Sequence, residues 1–391
     1  MEKNIENGFY IDASSFSPKN PLIIAELGTS HNADISKARE MIDAAAKAGA
    51  SCAKFQMVFA DEILSPNTGD VSLPGGMIPL YDRFKTLEAP LEFYEQIKEY
   101  TESRGLLFLC TPFGLKSASL LRKMKPKFVK IASPELNFTG LLEEIAGWGL
   151  PTLLSTGVSR LSDIESAIDV FLKEFTRSHR IPKEYAATEK NKEKRLCLLH
   201  CVTSYPAPEV DYNLRLLPSL SAVFGIPVGI SDHSADSELI PALAVSMGAS
   251  VIEKHFCLSR SESGLDDPIA LPPQDFFQMV SAVRRAAEIG PQETIAFYSR
   301  LRGASLVERI LGSGVKELAP SEKENYRLTN RSIHAMRDIQ KGEILKNGDY
   351  AVLRTEKVLR PGLEPCWEKA IEGRTARCFI PAGQGIRFED I

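Results

Sequence analysis

Two histidines carry the first chemical signal. His233 closes the stretch PVGISDH (227–233) and His255 closes SVIEKH (250–255). Each stretch is a short apolar run ending in a polar cluster, Ser231-Asp232-His233 in one and Glu253-Lys254-His255 in the other. The residues between them have helical spacing, with Ala242, Val245 and Ala249 on one side. Strand, helix, strand is the reading. Parallel neighbours would set the two imidazoles side by side at their carboxyl ends. With oxygen groups beside them they could hold one divalent cation and leave positions open for water or substrate. The competing reading is two unrelated histidines, one satisfied by a backbone carbonyl. Their matching places in consecutive units favour the metal.

Lysines and hydroxyls form a second set. Strand alternation puts Lys54 and Gln56 on one face of CAKFQ (52–56), and Lys130 lies in VKIAS (129–133). Thr111, Ser133, Ser155 and Ser231 end other apolar runs. Two ammonium groups with several hydroxyls suit a small anion carrying phosphate and carboxylate. A Schiff-base lysine is the sharper alternative. Glu26, Glu135 and Asp266 supply carboxylates that could position sugar hydroxyls, accept a proton or orient a water. Asp267 competes with Asp266 for that place. His31 and Asn32 face the same region or cap the first helix. His200, inside an apolar strand, reads as structural, and Cys201 and Cys257 as packing residues.

These groups need elements that bring them to one place. Eight apolar runs alternate with helical segments: 22–27, 52–56, 108–112, 129–133, 151–157, 196–202, 227–231 and 250–254. Each ends in polar residues. That pattern, over a span close to the ~250 residues usual for the fold, predicts an α/β (β/α)8 barrel with its site at the carboxyl-terminal strand ends. A doubly wound open sheet is the competing fold, but no GxGxxG follows any strand. The expected organisation is an N-terminal arm (1–20), a barrel (21–289), a linker (290–328) and a small, mostly β domain (329–391). In that last part RDIQKGEILKNGDY and CFIPAGQGIRFEDI echo each other, with short strands and glycine turns. Residues 57–89 include a Gly/Pro-rich loop expected over the mouth, and the charged run 176–195 reads as a solvated face.

Composition narrows the class. The chain has 391 residues, 43% hydrophobic and 25% charged, with a formal net charge of −4. No basic excess supports nucleic-acid binding. Seven cysteines without CxxC pairs fit reduced thiols in a cytoplasm. No apolar run approaches a membrane span, and the start MEKNIENGFYID lacks a signal-peptide core. A cytoplasmic protein acting on small molecules, not on nucleic acid or membrane, is the expectation.

The motifs IAELGTSHN, AKFQ, TPF, VKIASPEL, LSTG, LHCVTSYPAP, GISDHS and IEKHF, in that order, resemble the sialic acid synthase family. These are the NeuB-type N-acylneuraminate synthases and their spore-coat-polysaccharide relatives. RSIHAMRDIQKGEIL resembles that family's antifreeze-like (SAF) domain. The resemblance implies a TIM-barrel enzyme that condenses phosphoenolpyruvate with an open-chain N-acetylmannosamine-like aldose. The products would be a nine-carbon 2-keto acid and phosphate. It implies that Lys54, Thr111, Lys130, Ser133, Ser155 and Ser231 bind phosphoenolpyruvate, with Thr203 at a position that is Asn in some relatives. It implies a divalent metal, Mn2+ or Mg2+, on His233 and His255. Glu26, Gln56, Glu135, Tyr205 and Asp266 match positions around the sugar or the reacting centre, with Glu26 as proton acceptor. Arg331 matches an arginine that the small domain lends to the neighbouring subunit of a domain-exchanged homodimer. The loop GGMIPLYDRFKTLEAP is nearer to pseudaminic acid or spore-coat relatives. A pseudaminic or legionaminic acid precursor is therefore the alternative acceptor, and a non-catalytic sugar-binding relative the alternative role.

Overall fold

The computed structural model describes residues 8–73, 76–177 and 195–391. All eight expected strands form: β1 (Leu22–Gly28), β2 (Cys52–Met57), β3 (Leu107–Pro112), β4 (Val129–Ile131), β5 (Thr152–Ser155), β6 (Leu196–Cys201), β7 (Val228–Asp232) and β8 (Val251–His255). They are parallel, in the order β3-β2-β1-β8-β7-β6-β5-β4. β3 and β4, at the two ends of that series, lie side by side. The sheet is therefore a nearly closed (β/α)8 barrel. Most of the charged run 176–195 lies outside the described residues.

Alternation along the strands sorts the interior into layers. Leu22 and Ile24 of β1, Cys52, Leu109, Leu199 and Val251 pack together as an apolar lower layer. Two residues further along, the same faces carry Glu26, Lys54, Thr111, Cys201 and Glu253. The N-terminal segment is not the loose arm expected. Phe9–Ile11 and Ser14–Phe16 pair as an antiparallel hairpin. Phe9, Ile11 and Phe16 join the lower apolar layer and close the barrel floor. Burying three large apolar side chains stabilises the hairpin by roughly 1.5–3 kcal/mol each, enough to order so short a segment.

The expected linker also differs. It opens with two helices, Pro291–Arg302 and Ala304–Leu311. The first packs on helix Leu239–Ser246, all eight residues of which are buried. That helix is apolar all round because it has helical cover as well as the sheet. A turn at Pro320–Asn325 then reaches the barrel mouth. There the Glu322 carboxylate accepts the backbone N–H groups of Val158 and Thr203, at 3.1 and 2.9 Å.

The small domain pairs Arg331–Ala335 with Tyr350–Arg354, antiparallel, and places Arg331 opposite Arg354. Its two echoing halves meet through Ile339 and Ile380. Gly342 and Gly383 sit at equivalent turns with φ of 90° and 84°, where a side chain would be strained. In the single chain this domain rests on its own barrel. Asn137 exchanges two hydrogen bonds with the Arg331 backbone, at 2.9 and 3.1 Å. Asn67 Nδ2 donates to Ala382 O at 3.0 Å. The loop expected over the mouth folds into a hairpin, Asp70–Leu73 with Gly76–Pro79. Among the described residues, no helix is long and apolar enough to cross a membrane.

Candidate active site

The strand ends enclose a cavity of about 740 Å³. Glu26, Lys54, Gln56 and Lys130 line it, as do Ser133, Ser155 and Ser231. Thr203, Tyr205, His233 and His255 line it from the other strands. Of the fifteen site residues read from the sequence, eleven therefore share this one cavity. Thr111, Glu135, Asp266 and Arg331 are placed differently.

Glu253 organises the deep end, although the sequence places it only in the polar cluster before His255 and the expected site residues do not include it. Its Oε1 lies 3.3 Å from Lys130 Nζ and accepts the Ser231 hydroxyl at 2.9 Å; its Oε2 lies 3.5 Å from Lys54 Nζ. Lys54 also donates to Glu26, whose other oxygen accepts Gln56 Nε2 at 2.8 Å. Adjacent strands fix this pairing, since the register sets Glu26 beside Lys54 and Ser231 beside Glu253. Burial acts to raise Glu253, but Lys130 and Lys54 prevail and hold its carboxyl at about 2. Burial acts against the Lys54 ammonium, but Glu253 and Glu26 keep its pKa raised. For Lys130 burial wins, helped by Lys54, and its pKa is pushed down. Alternation from His255 would have found Glu253, two residues back on the same face.

Two hydroxyls beside these charges have nothing to bond. Thr111 Oγ1 and Ser155 Oγ are buried without a hydrogen-bond partner. Ser155 lines the charged cavity, and its orphaned hydroxyl points to a ligand that supplies a partner. Ser133 Oγ accepts the Gly157 N–H at 3.0 Å, and Gly157 leaves no room for a Cβ, which would approach Thr203 Oγ1 at 2.2 Å.

The histidines lie together at the other side. Their ring centroids are 5.5 Å apart. His233 Nδ1–H donates to Val202 O at 2.9 Å, which leaves Nε2 with its lone pair facing the Tyr205 hydroxyl at 3.2 Å. A backbone carbonyl on the far nitrogen is how metal-ligating histidines are usually held. Burial, against the pull of Glu26, holds His255 down at about 3, so its imidazole is neutral, the ligating form. Among the described residues no group of three or more His, Cys, Asp or Glu forms a complete cage. Burial acts to lower His233 too, but the neighbouring Cys201 thiol group and the Val202 carbonyl prevail and raise it. Two adjacent imidazoles, with the remaining positions left to water and substrate, fit an exchangeable divalent cation.

The competing aspartates separate cleanly. Asp266 Oδ2 lies 3.8 Å from His255 Nδ1 and faces the site. Asp267 accepts Ser30 Oγ and Gly264 N, both at 2.6 Å, and holds the loop. His31 is buried in the core, accepts the Ala33 N–H at 3.0 Å and packs on Phe93. His200 donates to Tyr212 O at 2.5 Å, a structural role as expected. Cys201, read as a packing residue, lines the cavity with Sγ 3.7 Å from His233 Nδ1.

Arg331 requires a correction. It does not line the strand-end cavity. Its guanidinium is buried at the seam between the domains and is saturated by Glu135 and by the carbonyls of Glu62, Phe113 and Val352. The arginine on the cavity wall is Arg354. The sequence offers no sign of this, because only strand pairing shows that the two arginines are neighbours. Glu135 lies between them, so its place by the substrate is indirect, through Arg354.

Comparison with known proteins agrees with this architecture. The NeuB family profile matches residues 41–293, and the SAF domain profile matches 330–391. An uncharacterized protein of Methanocaldococcus jannaschii is 37% identical over 323 residues, 83% of this chain and 81% of its own. The spore coat polysaccharide biosynthesis protein SpsE of Bacillus subtilis is 32% identical over 373 residues, 94% of this chain and 93% of its own. The crystal structure of SpsE matches with a TM-score of 0.78, covering 98% of this chain and 99% of that one. The N,N'-diacetyllegionaminic acid synthase of Campylobacter jejuni is 31% identical over 340 residues, 86% of this chain and 91% of its own. With its barrel matched by the one profile and its small domain by the other, the chain belongs to the NeuB family.

Proposed function

We propose that the protein condenses phosphoenolpyruvate with an open-chain, N-acylated aldose, forming a nine-carbon 2-keto sugar acid and releasing phosphate. The observation that carries this reading is the deep end of the cavity. Two buried lysines meet at Glu253, and the Ser155 hydroxyl on the same cavity wall has no partner. A small anion carrying phosphate and carboxylate would supply what these groups lack. Lys54 and Lys130 bind it as fixed charges and stabilise the negative charge that gathers as phosphate leaves. Glu26, between Lys54 and Gln56, holds the proton released when water adds at C2. Tyr205, stacked on His233 at 4.3 Å, fixes that ring. Arg354 faces the sugar from the small domain.

His233 and His255 would hold a divalent cation, Mn2+ or Mg2+, which when bound supplies Lewis-acid polarisation of the aldehyde oxygen. The chain works as a homodimer in which small domains are exchanged. The contacts that seat the domain on its own barrel would be made equally by a partner's. The seven unpaired cysteines fit a reducing cytoplasm. The deciding experiment is release of phosphate from phosphoenolpyruvate across a panel of N-acyl aldoses, including legionaminic and pseudaminic acid precursors. Sugar-dependent release is expected. Binding without release would leave only a sugar-binding protein.

A further inference from the structure

The exposed rim of the cavity is built by a turn of the small domain, residues 355–358. Thr355 Oγ1 donates to Leu328 O, and Lys357 N donates to the same carbonyl at 3.3 Å. Val358 N closes the turn on Thr355 O at 3.1 Å. Inside it, Glu356 and Lys357 have φ of 47° and 63°. Two consecutive non-glycine residues in the left-handed region are strained, and such conformations cluster at functional sites. Their effect here is to set Glu356, Lys357 and Val358 on the cavity wall.

Glu356 is the last member of an alternating series: Arg331, Glu135, Arg354, Glu356. Arg354 gives its Nε and Nη2 to Glu135, at 3.0 and 2.6 Å. Its Nη1 stands 3.7 Å from Glu356 Oε1, an ion pair too long for a hydrogen bond. The Glu356 side chain is only 13% exposed. Burial raises its pKa against the pull of Arg354, and among the described residues only Arg354 stands close enough to compensate it, leaving acceptor capacity toward the cavity. Lys357 is exposed at the rim, where water screens its ammonium.

We propose that Glu356 is a specificity-determining residue. It accepts a hydrogen bond from a hydroxyl or amide N–H on the acceptor sugar's distal carbons and rejects acceptors phosphorylated there. This rests on the condensation reading above. The aldehyde end belongs beside Glu26 and the histidines at the strand ends, so an extended six-carbon chain points its other end toward the rim. An ionised carboxylate accepts but cannot donate, and it repels a second anion.

The test compares the wild type with Glu356→Gln and Glu356→Ala, measuring phosphate release with N-acetylmannosamine, its 4-deoxy and 6-deoxy analogues and its 6-phosphate. The alanine variant should raise the KM for N-acetylmannosamine by about tenfold, the scale of one lost hydrogen bond to a charged group, and leave the KM for phosphoenolpyruvate within about twofold. At least one deoxy analogue should lose about tenfold or more with the wild type and less than about threefold with the alanine variant. Both variants should narrow the preference for the neutral sugar over its 6-phosphate. Unchanged discrimination in the variants would overturn the proposal and leave the condensation standing. Absence of phosphate release by the wild type with these sugars and with the legionaminic and pseudaminic acid precursors would overturn both.

Discussion

Arg331 and Arg354 face each other in the antiparallel register of the small domain, and both guanidiniums close on one oxygen, Glu135 Oε1, at 3.0 and 2.6 Å. Like charges directly opposite across a strand pair repel, so the pairing needs the carboxylate that the barrel supplies. The two arginines then divide the work. Arg331 fastens the domain to the barrel, while Arg354 reaches the cavity.

Their substitutions should separate. Arg331→Ala breaks a buried pair and strips several carbonyls of their donor, and should cost about 3–5 kcal/mol of stability. Arg354→Ala should melt within a few degrees of the wild type but lose about 100-fold in kcat/KM for the sugar, the scale of about 2.7 kcal/mol. Thermal melts and sugar titrations check both. A stable Arg331→Ala enzyme with a selective sugar defect would reverse the assignment.

Domain exchange can be read from mixed subunits. Arg354→Ala and His233→Ala should each be nearly inactive. After subunit exchange the mixture should recover activity, because one site of each heterodimer would receive both intact groups. If mass spectrometry shows the heterodimer and activity stays absent, the domain serves its own barrel.

The lysines should act without covalent chemistry. Lys54→Met and Lys130→Met should each raise the KM for phosphoenolpyruvate by about 100-fold or more, as expected for losing a buried charge contact to an anion. Lys130 is the more demanding case, because its lowered pKa would favour a nucleophilic amine. Borohydride trapping during turnover should add no mass. A substrate adduct on Lys130 would move the mechanism to a Schiff base.

Metal removal should abolish turnover and leave the fold intact, since the barrel core does not depend on His233 or His255. Chelated protein should regain activity with Mn2+ or Mg2+ and bind either one measurably in a calorimeter. Full activity in a metal-free His233→Ala/His255→Ala double variant would sink this reading.

Acid should weaken the fold early. Burial holds His31, His200 and His334 down at about 4, 3 and 4. Each is lower than in the unfolded chain, so the unfolded state takes up protons first. Their stability is intact above about pH 6.5 and falls as pH drops, by about 2 kcal/mol each at pH 5. Glu253, held at about 2, adds a second loss below its ordinary pKa, from about pH 4.5 downward. Urea midpoints at pH 7.5, 6 and 5 should decline steadily, and His200→Gln should flatten the decline. A midpoint constant down to pH 5 would contradict these burial assignments.

Much of this was legible from residue order alone. Strand and helix periods are local properties, so the eight strands, their polar ends and the two histidines could be read directly. Strand alternation placed Lys54 and Gln56 on one face for the same reason, and applied to β8 it also reaches Glu253, two residues before His255. The tertiary structure decided what depends on pairing between distant segments. The register of Arg331–Ala335 with Tyr350–Arg354 put Arg354 on the cavity wall and Arg331 behind it. A three-dimensional loop path separated Asp266 from its neighbour Asp267. Burial of Phe9, Ile11 and Phe16 beneath the barrel ordered a segment whose composition alone suggested a loose arm. In each case the deciding energy comes from contacts between residues far apart in the chain, and residue order does not say which of many such contacts will form.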